Sequence, residues 1–244
     1  MRYVLIIITS IFFSDLFAQE IKQKAFSINY DYQIPHGNLA KKYGMSSGVG
    51  ISYFSENKKN IFYGIDLEYI FGNNVKDSLI LNSISTQEGF IIDANGYFSN
   101  INLMQSGISS HFFTGYAIHN KKNNLSGIYI SCGIGYLQHK IFIDTRNQNI
   151  PQLNDEYKKG YDQFTSGISS KISAEYKYYS KRNKNLQFSF GINYTTAYTQ
   201  IKRPYIFNQS NYSITGYNWD RIIGIRFGII IPIKKINEEK YYYY

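Results

Sequence analysis

At 244 residues with a single cysteine, Cys132, the chain is long enough for one ordinary core and too poor in cysteine for a disulfide scaffold or a zinc finger. Aromatic residues make up 18%, led by 25 Tyr and 17 Phe, yet the mean hydropathy is -0.32, a balance that suits a β-rich surface, half apolar and half wet. A net charge of +9 is compatible with nucleic acid, but the N-terminus directs the chain away from that partner.

That N-terminus, "MRYVLIIITSIFFSDLFAQE", carries Arg2, an apolar run from Val4 to Phe13 and a small-residue exit at Ala18 and Gln19. It reads as a cleaved signal peptide over residues 1–18, because the apolar run is too short to cross a bilayer as a helix. No cysteine lies near the cleavage point to take a lipid anchor. Removing residues 1–18 takes away Arg2 and Asp15 together, so the positive excess stays with the mature chain. A secreted basic protein favours an anionic membrane surface over nucleic acid.

From residue 25 onward the sequence alternates with period two, the signature of strands with one apolar face. In "AFSINYDY" Phe26, Ile28, Tyr30 and Tyr32 share a face against Ser27, Asn29 and Asp31. "VGISYF" (49–54) and "YGIDLEYIFG" (63–72) follow, the latter setting Tyr63, Ile65, Leu67, Tyr69 and Phe71 against Gly64, Asp66, Glu68 and Gly72. The pattern loosens over residues 101–118 and returns in "GIYISCGIGY" (127–136), which makes Cys132 an apolar side chain on a strand face. "FTSGISSKISAEYKYY" (164–179), "LQFSFGINYTTAY" (186–198) and "WDRIIGIRFGIII" (219–231) complete eight strands. Many are about ten residues or longer, enough to cross a bilayer when tilted.

The connections alternate in length. Those after strands two, four and six are short and basic, "SENKKN", "HNKKNN" and "SKRNKN", whereas residues 36–44, 73–96, 145–163 and 200–217 form long ones. This predicts an all-β fold, an eight-stranded antiparallel transmembrane β-barrel over residues 19–235, with short periplasmic turns, long extracellular loops and a periplasmic tail at 236–244. Lys58, Lys59, Lys121, Lys122, Lys181, Arg182, Lys184, Lys234 and Lys235 would then form a basic periplasmic rim, either against anionic head groups or simply because Lys and Asn favour turns. An eight-stranded barrel is too narrow to be a channel, since side chains fill it.

The paired acids Asp66 and Glu68 fall on the lumen face, as do Lys171 and Arg226. Charges there need partners, so these four, joined by Glu175 and His111, are expected to form a structural ionic network. The competing catalytic reading has His36, His139, Asp144, Asp155 and Asp162 to work with, but no Ser/His/Asp spacing stands out and no catalytic residue, metal site or cofactor is expected. "SGVGIS" and "CGIGYL" lie within strands, where a phosphate-binding glycine loop has no helix to serve. "GFIIDANGYF", in the longest loop, is too apolar for a solvated loop and suggests packing onto a partner or a strand extension.

The segments "FGNN", "GFIIDANG", "GIGYLQHKIFI", "PQLNDEYKKGYDQ" and "GIRFGIIIPIKK", after a signal ending in "FAQ", resemble small outer-membrane β-barrel proteins of Bacteroidota, especially flavobacterial ones. The chain is broadly similar to PorT-like barrels, some of which serve type IX secretion. No role is carried over residue by residue from that resemblance; the residues themselves lead to the expectation of a non-enzymatic outer-membrane protein in contact with outer-membrane lipid, an accessory or structural subunit binding envelope proteins through loops 73–96, 145–163 and 200–217. A secretion or gliding component, an adhesin and a rim-located hydrolase are the alternatives.

Overall fold

The computed structural model describes residues 21–120, 123–146, 148–180, 187–207 and 216–233. Eight long strands close on themselves: β1 (Ile21–Gly37), β2 (Ser46–Asn57), β3 (Ile61–Gly72), β4 (Asn102–Asn120), β5 (Asn123–Asp144), β6 (Thr165–Tyr178), β7 (Gln187–Ile201) and β8 (Tyr217–Ile233). Each is antiparallel to its neighbours in chain order, and β1 pairs with β8 from Lys24 opposite Ile233 to Gly37 opposite Asp220. The ring has no free edge, the architecture of an eight-stranded outer-membrane barrel.

Alternation in sequence becomes an inversion in space. On β1, Phe26, Ile28 and Tyr30 point outward and are exposed, while Ser27, Asn29 and Asp31 are buried in the lumen. The same holds around the ring. Aliphatic side chains such as Ile51, Leu67, Ile134 and Ile192 lie outward along the middle of the strands, with exposed Tyr116, Tyr176 and Tyr178 toward one end and Tyr69, Tyr198 and Trp219 toward the other. Cys132 faces outward within this apolar wall.

Short and long connections segregate to opposite ends of the barrel. At the turn end, β2 and β3 are joined through Asn57, whose Oδ1 accepts the backbone N–H groups of Lys59 and Ile61, each at 2.9 Å, and Asn60 takes a left-handed backbone (φ 64°). Asn tolerates that conformation through local hydrogen bonding, which is why this basic stretch closes tightly. Lys58 and Lys59 are exposed on the turn. The other expected rim bases, Lys121, Lys122, Lys181, Arg182, Lys184, Lys234 and Lys235, lie outside the described residues, as do the signal segment 1–18 and the tail 236–244.

At the loop end the connections fold over the mouth. A one-turn helix (Leu39–Lys42), a 3-10 segment (Ser78–Ile84) and a second one-turn helix (Lys158–Tyr161) bring Leu39, Ile80, Leu81 and Tyr161 onto Leu137 and Ile141, lumen-facing residues of β5. Two boundaries differ from the sequence reading: His36 belongs to β1 rather than to a loop, and the second long connection runs on to residue 101. "GFIIDANGYF" extends no barrel strand. It makes its own hairpin, Ile91–Ile92 against Phe98–Ser99, because Asp93 Oδ1 caps the N–H groups of Asn95 and Tyr97 and Gly96 supplies a positive φ.

The lumen is not polar throughout. Toward the turn end it is aromatic: Phe54, Phe62 and Tyr129 are buried, with Ala25 and Ile230 beside them. Bulky rings fit there because the facing positions on neighbouring strands are glycines, Gly64 against Phe54 and Gly115 against Phe62. The interior is therefore layered, with an apolar cap, a charged middle and an aromatic base.

A hydrogen-bonded ring of this kind resists detergent. The folded protein should run faster on SDS gels before boiling than after and give a strong β signal by circular dichroism; a chain that fails both tests is not this barrel.

Candidate functional site

The charged layer is assembled from β1, β3, β6 and β8. Arg226 sits at its centre. Its Nε lies 3.0 Å from each oxygen of Asp31, its neighbour across the β1–β8 seam, and Nη1 and Nη2 each lie 3.2 Å from an oxygen of Asp66. Lys171 Nζ bridges Asp66 Oδ2 at 2.8 Å and Glu68 Oε2 at 2.9 Å. Glu175 is more distant, 3.8 Å from Arg226 Nη1.

Of the six residues expected here, five are joined by these ion pairs. His111 lies beside them but is hydrogen-bonded through Nε2 to Ser169 Oγ at 2.8 Å, and its Nδ1 has no hydrogen-bond partner among the described residues. Asp31 was missed as a member. Its place on the polar face of β1 was legible, but only the register of β1 against β8 sets it opposite Arg226.

Four carboxylates, Asp31, Asp66, Glu68 and Glu175, face two bases, Lys171 and Arg226. Neutral donors complete the balance: Ser52 Oγ donates to Asp66 at 2.6 Å, Asn193 Nδ2 to Asp31 at 2.5 Å, and Gln33 to Glu68. Room for Glu68 comes from Gly48, where any Cβ would collide with its carboxylate. The enclosed space left between these groups is a cavity of about 30 Å³, enough for one or two waters.

Below this layer Lys177 points its ammonium into the aromatic base, 3.6 Å from the ring centre of Phe54 and 4.6 Å from that of Tyr129, where the negative faces of the rings attract it. Tyr129 in turn donates to Glu56, which also accepts Lys22 at 3.1 Å and Gln23 at 2.6 Å and meets His119 Nε2 at 2.6 Å. The turn end is thus closed by a second polar knot.

The candidate catalytic histidines are placed apart. His36 is exposed at the end of β1, while His139 is buried in β5 with Nε2 3.0 Å from Asp220 Oδ2. Thr199 Oγ1 donates to the same Asp220 oxygen at 2.5 Å. The carboxylate thus sits between the Thr199 hydroxyl and the imidazole, and the hydroxyl that meets the other ring nitrogen, Nδ1, at 3.4 Å is that of Tyr43, a buried phenol rather than a serine or threonine nucleophile. Asp162 is engaged by a two-pronged pair with Arg203, which raises the Arg203 pKa, and Asp144 caps the backbone N–H of Arg146. Among the described residues no cluster of histidine, cysteine and carboxylate groups could hold a metal.

Lys42 is the most unusual group of the loop end. Its Nζ donates to the Gln163 carbonyl at 3.0 Å, and Gln163 Nε2 donates to Asp77 at 3.2 Å, so one buried cation ties three connections together. Burial pushes its pKa down to about 7, against the upward pull of Asp220, Asp162 and Asp77.

No family model matches the chain, and no curated protein matches it. Among solved structures it is similar in course to Ail of Yersinia pestis crystallised with a heparin analogue (9% identity, 88% of this chain and 99% of that chain, TM-score 0.43). Neisserial surface protein A (11%, 87% and 99%, TM-score 0.40) and OprG of Pseudomonas aeruginosa (10%, 89% and 99%, TM-score 0.36) are similar to the same degree.

Two outcomes test this arrangement. Arg226→Met leaves Asp31 and Asp66 buried beside too little positive charge and should destabilise the barrel by about 3–5 kcal/mol in urea unfolding from micelles; the triple variant with Asp31→Asn and Asp66→Asn should regain most of it. Unfolded Lys42 holds its proton up to about pH 10.5, whereas the folded side chain loses it near 7. Stability of the cap should therefore rise as pH increases from 7 to 10 and stay flat below 7, read by hydrogen exchange of the Leu39–Lys42 turn, and Lys42→Met should abolish the slope.

Proposed function

We propose that this chain is an integral outer-membrane β-barrel without catalytic activity, an accessory or structural subunit that meets other envelope components through its loop end. The observation that carries the reading is the inverted wall: exposed aliphatic residues around the whole ring, rimmed by tyrosine and tryptophan, enclosing a charged interior. Such a surface is stable only against lipid, and aromatic rims fit the two head-group regions.

The charged layer and its small cavity support a structural lumen rather than a pore. The buried positions of His139 and Asp220 support a non-enzymatic role. The basic turn end, with Lys58 and Lys59, supports a periplasmic orientation for the short turns, which leaves the loop end outside the cell. A component of a secretion or gliding assembly is the alternative reading, and it too would place the partners at the loop end.

Cysteine placed at Tyr97 on the loop end, in a Cys132→Ser background, should react with a membrane-impermeant maleimide on intact cells, and cysteine at Lys58 only after permeabilisation. The reverse pattern would overturn the orientation. The same cells extracted in mild detergent should yield a reproducible complex with other envelope proteins on native gels, and a lone species would remove the accessory-subunit reading.

A further inference from the structure

Beyond the apolar wall, the loop end leaves aromatic rings partly exposed. Phe98 is 67% exposed and Phe90 46%, in tilted contact at 4.7 Å on the hairpin, while Tyr157 is 51% and Phe207 42% exposed in a second cluster. Unsupported aromatic surface on a wet loop is costly and marks a site of interaction. Each cluster borders an open cleft, of about 920 Å³ beside the hairpin and about 560 Å³ beside Tyr157, the size of a small-ligand site. The 3-10 segment Ser78–Ile84 is the wall they share: Leu81 faces the first cleft, and Ser83 and Ile84 face the second.

The chemistry of the linings is specific. Among the described residues neither cleft has a charged side chain in its lining. The polar groups are amides and hydroxyls, Asn73 and Asn100 in the first cleft, Gln152 and Ser83 in the second. The Ser99 hydroxyl, shielded from solvent at the first cleft, has no hydrogen-bond partner among the described residues. That shielding puts it out of a ligand's reach, so polar recognition in the first cleft falls to the exposed amides Asn73 and Asn100.

We infer that the paired clefts form a binding site for a neutral oligosaccharide, lying across the Ser78–Ile84 ridge with sugar rings on Phe98 and Tyr157. A pyranose offers apolar C–H faces to aromatic rings and hydroxyls to amides, and both clefts supply those two kinds of group. A sulfated or phosphorylated glycan would require cations that these linings lack. The inference rests on the proposed outward placement of the loop end for its biological meaning, but the binding itself is a property of the isolated barrel.

The test uses the full mature chain, folded in detergent micelles with its gel shift verified, on an array of neutral, sulfated and sialylated oligosaccharides with random peptides as a further set. At least one neutral oligosaccharide should bind, without weakening as salt is added, and titration should show the affinity falling about tenfold or more in Phe98→Ala and in Tyr157→Ala, each equivalent to about 1.4 kcal/mol. Both side chains are largely exposed, so the gel shift should persist in the variants. Binding confined to anionic glycans or to peptides, no binding at all, or binding indifferent to both substitutions would overturn the inference. If the maleimide pattern on cells is as expected while the array is blank, only the glycan site fails; if the array is positive and the pattern reversed, only the outward placement does.

Discussion

A ring of eight strands encloses a space no wider than the side chains that fill it, and the charged groups pointing inward must find their partners on adjacent or facing strands. Most features of this molecule follow from that constraint. Arg226 serves several carboxylates at once because its planar fork reaches from β8 to both Asp31 on β1 and Asp66 on β3. Lys171 approaches from β6 and draws Glu68 into the same group. Glycines such as Gly48 are required where two side chains from adjacent strands compete for one volume.

The same constraint explains the layering. Ions occupy the middle because reciprocal pairing across the lumen is available there from four strands, each contributing a charge at similar height. Toward either end smaller polar groups, around Glu56 at the base and Asp220 near the mouth, are set among rings at the base and aliphatic loop residues at the mouth. Lys177 and Lys42 mark the two transitions, one cation held over aromatic faces and the other tied to a loop carbonyl. Both ends are closed by side chains that the barrel itself does not need for strand pairing.

This closure shifts attention from the lumen to the surface. The groups with unusual electrostatics are buried and serve one another, whereas the loop end leaves aromatic rings partly exposed beside open clefts. A rigid scaffold with a variable, partly aromatic rim is a common physical solution for recognition, since loops tolerate change that a closed ring cannot.

Period-two alternation, with glycine and serine opposite isoleucine and tyrosine, was sufficient to read eight strands, their inward and outward faces and the alternation of short and long connections. These are properties of each segment alone, set by the pleat of a strand. Asp66, Glu68, Lys171 and Arg226 could be placed in the lumen for the same reason. Which of them touch could not be read, because contact across a barrel depends on the stagger between strands, and Asp31 entered the network only when β1 met β8 in register. The aromatic base, the hairpin of Ile91–Ile92 and Phe98–Ser99 and the ties of Lys42 lie further still from the sequence. They join residues distant along the chain through packing that no local pattern records, and only the folded ring decides them.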